Sequence, residues 1–191
     1  MAPALAGCGG GGGPATTTAP GTTAEGPRRT PIEATTVVLP DPGPEPFQAG
    51  GVARAVAALR RQIGAEPRLI LVSVSRDSIV FIVQNHRVRR FVDRYVWRDG
   101  RMEGPNAPGE RDPREIAPLV FFARQVDLRA VPRLVQRGDR MPFEGSRTIS
   151  VDIERSWFDA YRVRFRVNVN GTRRGAQLRA DARGRVTEVL P

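Results

Sequence analysis

From Tyr161 to Val169 the chain alternates without a break. Tyr161, Val163, Phe165, Val167 and Val169 share one parity, and Arg162, Arg164, Arg166 and Asn168 the other. A period of two sends successive side chains to opposite faces of a strand. One face is then apolar and the other polar, the pattern of an antiparallel strand half buried against a core. Asn170-Gly171 follows, a pair suited to the positive φ angles of a two-residue hairpin turn. Arg174 to Asp181 returns, with Ala176, Leu178 and Ala180 inward. A one-residue slip would turn every apolar side chain to water, so the register is tightly specified. The chain must therefore build a one-sided antiparallel sheet and lay something apolar against it.

Amphipathic helices are the natural cover. Val52, Val56, Leu59 and Ile63 recur at helical spacing with Arg54, Arg60 and Arg61 elsewhere on the wheel, and Gly64 ends the run. Leu69–Ser75 and Ile79–Gln84 read as strands around a turn at Arg76-Asp77-Ser78. Val88–Trp97 reads as a third strand, ending at Asp99-Gly100. A second helical stretch opens at Asp112-Pro113-Arg114-Glu115, with Asp at N-cap, Pro at N1 and Glu at N3. Pro118 kinks or delays it. Asp127 caps another helical piece with Leu128, Val131, Leu134 and Val135, ending at Gly138, in which Pro132 favours a late start. Arg147–Glu154 precedes the alternating strand, with Ile149, Val151 and Ile153 on one face.

Composition divides the chain. Residues 1–50 are rich in Gly, Pro, Thr and Ala and too poor in large apolar residues to offset backbone ordering, so 9–50 is expected to be a disordered tether. Within it, 34–39 could form a short extended strand. Residues 51–191 carry almost all the arginines and most of the large aliphatics. The formal charge is +10, and all 30 basic residues are arginine, a bias that GC-rich coding explains without a functional role. One cysteine and one histidine exclude an intrachain disulfide and a zinc finger, and leave a Ser-His-Asp or Cys-His centre only His86. His86, beside Arg87 at a strand end, reads as a surface turn residue. No cofactor, no metal and no enzymatic activity are expected.

The single cysteine follows Leu5-Ala6-Gly7. Leu5-Ala6-Gly7-Cys8 resembles the lipobox of bacterial lipoproteins, in which the cysteine is diacylated and becomes the new N-terminus. The resemblance implies lipid attachment at Cys8, with residues 1–8 as the remnant of a signal peptide. It also implies a cell-membrane location on the extracytoplasmic face. Such peptides need a charged and then an apolar segment ahead of the cleavage site, which is expected upstream of Met1. A flexible tether over 9–50 would reach roughly 35 Å.

The folded part reads as α+β: two tandem helix-plus-antiparallel-sheet repeats, 51–111 and 112–191, behind the disordered N-terminal linker. AVAALRRQIG (55–64) parallels AVPRLVQRGD (130–139), and YVWRDGRMEG (95–104) parallels LRADARGRVTEV (178–189). Each unit is expected to be a helix over a three-stranded meander. This is similar to PepSY-type domains of exported bacterial proteins, whose closing Asp-Ala-x-Gly-x-Val fits Asp181 to Val186. It is equally similar to helix-plus-sheet modules of lipoproteins that bind or inhibit envelope proteins. Neither resemblance implies a catalytic residue.

Two surfaces stand out. Arg162, Arg164 and Arg166 would form a stripe able to contact an anion or an acidic partner. The plainer alternative is cross-strand pairing with Asp152 and Glu154 on the preceding strand. Interleaved acids argue against nucleic acid. Leu69–Val74 and Ile79–Val83 are nearly continuous apolar runs, which suggests cover on both faces. The second cover is expected from 113–124 with Phe121 and Phe122, or else from a second copy or a partner. Trp97 and Trp157 are read as packing residues. The function expected is a lipid-anchored, non-enzymatic envelope protein whose tandem units bind, regulate or inhibit another envelope protein. The alternative is a lipid- or anion-binding carrier with a cavity between helix and sheet, which Ala55, Ala57 and Ala58 would permit.

Overall fold

The computed structural model describes residues 46–191, except for the side chains of 107 and 108. Cys8, the lipobox and the 34–39 segment lie outside the described residues. The chain enters through a turn at Pro46–Gly50 and forms helix α1, Gly51–Ile63, stopped by Gly64 in the left-handed conformation. Phe47, which composition assigns to the tether, is buried in the core, so the ordered part begins ahead of residue 51.

Four strands follow: β1 (Arg68–Val74), β2 (Ile79–Gln84), β3 (Phe91–Arg98) and β4 (Arg101–Glu110). A short helix α2, Pro113–Ile116, starts as expected, with the Asp112 carboxylate accepting the Arg114 N–H at 2.8 Å. It gives way at once to the 3-10 turn Ala117–Leu119, which contains Pro118. Asp127 caps another 3-10 turn, Leu128–Ala130, and α3 spans Val131–Asp139 with Pro132 in its first turn, where a missing N–H costs nothing. Four more strands complete the chain: β5 (Arg147–Arg155), β6 (Val163–Asn170), β7 (Gly175–Asp181) and β8 (Val186–Leu190).

All eight strands join one antiparallel sheet in the order β4-β3-β2-β1-β5-β6-β7-β8. This corrects the expectation of two three-stranded meanders. Each meander gains a fourth strand, and the two fuse where β1 pairs with β5, Leu71 opposite Glu154 through Val74 opposite Val151. One apolar cluster runs under both halves. Val52, Ala55 and Leu59 of α1 and Val131, Leu134 and Val135 of α3 pack with Val72, Phe81, Ile153, Phe165 and Leu178 of the sheet. Ala57 is exposed and takes no part.

In β1 and β2 burial follows side-chain parity more closely than the apolar run suggests. Val72, Val74, Ile79, Phe81 and Val83 are buried with the helices, whereas Leu71, Val80 and Ile82 are half-buried. Phe121, proposed above as cover for the second face, joins the helix-side core instead. Its backbone exchanges two hydrogen bonds with Leu69, at 2.8 and 2.9 Å. Ile116 and Val120 are buried outside that cluster.

Candidate interaction site at one end of the sheet

The polar parity of β5–β8 forms a row of charged and polar side chains. Ser73, Asp152, Arg166, Arg179 and Glu188 stand directly opposite one another across β1, β5, β6, β7 and β8. Asp152, almost fully buried, accepts from Ser73 Oγ at 2.6 Å, Asn168 Nδ2 at 3.0 Å and Arg166 at 3.4 Å. Arg166 also pairs with Glu154 at 3.1 Å, and Arg179 with Glu188 at 3.0 Å. Arg164 pairs with Asp159 at 3.2 Å. Burial pushes the Glu154 carboxyl above the usual range. Arg166 pulls it back, while the charges of Asp152 and Asp159 add to the rise. Arg166 and Arg179 are thus committed to carboxylates across neighbouring strands, and Arg164 to one in the turn ahead of β6.

Arg162 does not belong to that stripe. It precedes β6, in a turn where Ala160 and Tyr161 have φ of 50° and 57°. The turn contains the 3-10 segment Trp157–Asp159, held by Ser156 Oγ accepting the Phe158 N–H at 3.3 Å. The positive φ values break the alternation, so Tyr161 is not the inward strand residue its parity predicts. Trp157, Phe158 and Tyr161 are 64%, 76% and 42% exposed, and the first two rings stack. Trp157 is therefore not a packing residue, unlike Trp97, which packs at the edge of the core. The signal available in the sequence was Ser156-Trp157-Phe158-Asp159, a capping residue ahead of a segment that does not alternate.

Strand register places three loops at the same end of the sheet. Val92 and Gln84 face each other there, as do Arg155 and Val163, and Ala180 and Val186. The 156–162 turn is central. On one side the 85–90 loop carries Arg87, Val88 and Arg89, and on the other the 182–185 loop carries Arg183 and Arg185, all exposed. Asp159, Glu110 and Asp181, which lie near this end, are engaged. Arg164 holds Asp159, Arg90 pairs with Glu110 at 3.4 Å, and the Asp181 carboxylate accepts the N–H groups of Arg183 and Arg185, each at 2.9 Å. Arg87, Arg89, Arg162, Arg183 and Arg185 have no carboxylate within ion-pair distance among the described residues.

His86 is exposed in the 85–90 loop, and no group of three or more His, Cys, Asp or Glu could hold a metal among the described residues. A surface depression lined by Phe143, Glu144, Thr172, Arg173 and Arg174 lies in loops, not between helix and sheet. Among the described residues no helix is long and apolar enough to cross a membrane.

No family model and no curated protein matches this chain. Among solved structures it is similar to a candidate lipoprotein of Clostridium difficile 630. That match has a TM-score of 0.50 and 12% identity and covers 72% of this chain and 90% of the other. At that identity the likeness is one of fold.

Proposed function

We propose that this chain is a bacterial lipoprotein, anchored by acylated Cys8 on the extracytoplasmic face of the cell membrane. Its two α+β halves act, without catalysis, as a protein-binding or regulatory module. The observation that carries the anchor is Leu5-Ala6-Gly7-Cys8, with the only cysteine of the chain placed ahead of the ordered domain. A fold shared with a candidate lipoprotein is in keeping with it. Two or more acyl chains hold a protein on a bilayer, where one is marginal.

The halves are read as tandem PepSY-like units, a helix and its meander. Three features support that relation. The first strands of the halves meet antiparallel at the centre, so the strand order mirrors itself about the β1–β5 seam. The matched segments 55–64 and 130–139 lie in or at α1 and α3. The matched segments 95–104 and 178–189 both cross the last hairpin of their half, β3–β4 and β7–β8.

The anchor is tested by fractionating cells that express Cys8→Ser from the native locus. The variant is expected to leave the membrane fraction for the soluble one. A variant that fractionates as wild type does would refute acylation at Cys8. Crosslinking in intact cells followed by mass spectrometry tests the binding role. A specific envelope protein joined to the domain is expected, and capture of none would refute it.

A further inference from the structure

We propose that the sheet end formed by the 156–162 turn and its two flanking loops is a docking surface for an anionic lipid bilayer. This takes the envelope location from the preceding section but does not depend on the acyl anchor. The occupant follows from the arrangement of the groups. Trp157 and Phe158 form an exposed apolar tip, and Tyr161 adds a third aromatic beside it. Trp and Tyr combine an apolar ring with a polar handle, the combination that settles at the headgroup level of a bilayer.

The tip sits between two loops that carry exposed cations with no carboxylate partner among the described residues, Arg87 and Arg89 on one side and Arg183 and Arg185 on the other, with Arg162 at its own base. Val88 and Val186, each 40% exposed, accompany them. An apolar centre with basic flanks complements a surface whose hydrocarbon begins just below a layer of negative headgroups. Single-stranded nucleic acid would instead want separated aromatic faces along a basic groove. Here the Trp157 and Phe158 rings stack on each other.

The contact would be weak alone and effective in combination. A domain already confined near a bilayer through Cys8 meets it at high effective concentration, so a modest second contact sets its orientation. Docking by this end would stand the strands on the membrane and keep the Asp99-Gly100 and Asn170-Gly171 turns, at the far end of the sheet, away from it.

The test uses the full unacylated chain, Cys8→Ser, so that retention cannot come from the anchor. It is sedimented with vesicles of phosphatidylcholine alone or mixed with phosphatidylglycerol. Binding is expected only with phosphatidylglycerol, weakening as salt rises, with a blue shift of tryptophan fluorescence. Trp157→Ser/Phe158→Ser is expected to lower binding at least ~tenfold with an unchanged melting temperature. Arg87→Gln/Arg89→Gln/Arg185→Gln is expected to lower it and to flatten the salt dependence. No binding to either vesicle, or equal binding by the parent chain and the folded tip variant, overturns the assignment. Tighter binding of a single-stranded oligonucleotide through the same residues also overturns it, in favour of nucleic acid. Loss of the anchor in cells with vesicle binding intact would leave the docking surface standing and remove only Cys8.

Discussion

Gly138 offers a clean contest between two effects of opposite sign. It lies in the last turn of α3, and helix propensity alone says that Gly138→Ala should stabilise by up to ~1 kcal/mol. Packing says otherwise. A Cβ there would overlap Thr148 Oγ1 and approach Val169 Cγ2 to 2.9 Å. Thr148 is fully buried and has little freedom to move. Its Oγ1 donates to the Val135 carbonyl at 3.1 Å, and its backbone N–H donates to the Asp139 carboxylate at 2.6 Å. Turning its side chain would give up a buried hydrogen bond of about 1 kcal/mol. Forcing α3 away from β5 and β6 would cost about 1–3 kcal/mol.

The net expectation for Gly138→Ala is a loss of about 1–2 kcal/mol, or roughly 3–6 °C in melting temperature for a domain of this size. Urea titration followed by circular dichroism measures it. In a Thr148→Ala background only the approach to Val169 remains, so the same substitution should cost less, a coupling of about 0.5–3 kcal/mol. An increase in stability from Gly138→Ala alone, or the same loss in both backgrounds, would refute the packing explanation.

Phe165→Ala, at a fully buried position in the middle of β6, should cost about 3–5 kcal/mol, read from the urea midpoint. Arg166→Ala should cost about 1–3 kcal/mol by the same assay, because it strips Asp152 and Glu154 of a shared cation at the inner edge of the network. The elevated carboxyl of Glu154 gives a pH signature. Its stabilising contribution is full below the unfolded-state value near 4.5 and is lost as pH rises through the folded-state value. Glu154→Gln lacks that loss, so its stability relative to the parent should climb with pH across that window, and a flat difference would contradict the burial argument. Asp77 works in reverse. Ser75 Oγ–H, followed by its own backbone, lowers its carboxyl below 3.8, so Asp77→Asn should matter above that value and cease to matter in acid.

What could be read from residue order was what local chemistry decides. The α1 face, its Gly64 stop, the Asp112 cap and the Asp99-Gly100 turn all depend on a few neighbouring residues, and all appear where expected. The hairpin at Asn170-Gly171 forms, but not as a two-residue turn: Asn170 ends β6 opposite Gly175, the loop takes four residues, and neither Asn170 nor Gly171 has a positive φ. β4 escaped because Gly104, Pro105, Pro108 and Gly109 are poor strand formers, tolerated only at a sheet edge. Edge status depends on the whole topology. β8 is short and mostly exposed, so its residues do not alternate between core and water. The fusion through β1 and β5 pairs residues some eighty positions apart, beyond the reach of any local pattern. At the candidate site, Arg166 pairs with Asp152 and Glu154 as cross-strand register allows, whereas Arg164 takes Asp159 from the turn ahead of β6 and Arg162 lies outside the strand. The aromatic tip was hidden because Tyr161 keeps the parity of β6 while the backbone leaves the strand.

The two margins of the sheet are chemically unlike. β4 carries two prolines, each without an N–H to offer a neighbouring strand. β8 carries none, and its Val189 is half exposed. Growth of a fibril by strand addition needs two adhesive margins on every molecule, one to receive and one to pass on. A sheet with one blunted margin can at most close on a second copy, β8 against β8 about a twofold axis, and there it stops. That asymmetry separates a self-limiting pair from an open-ended polymer.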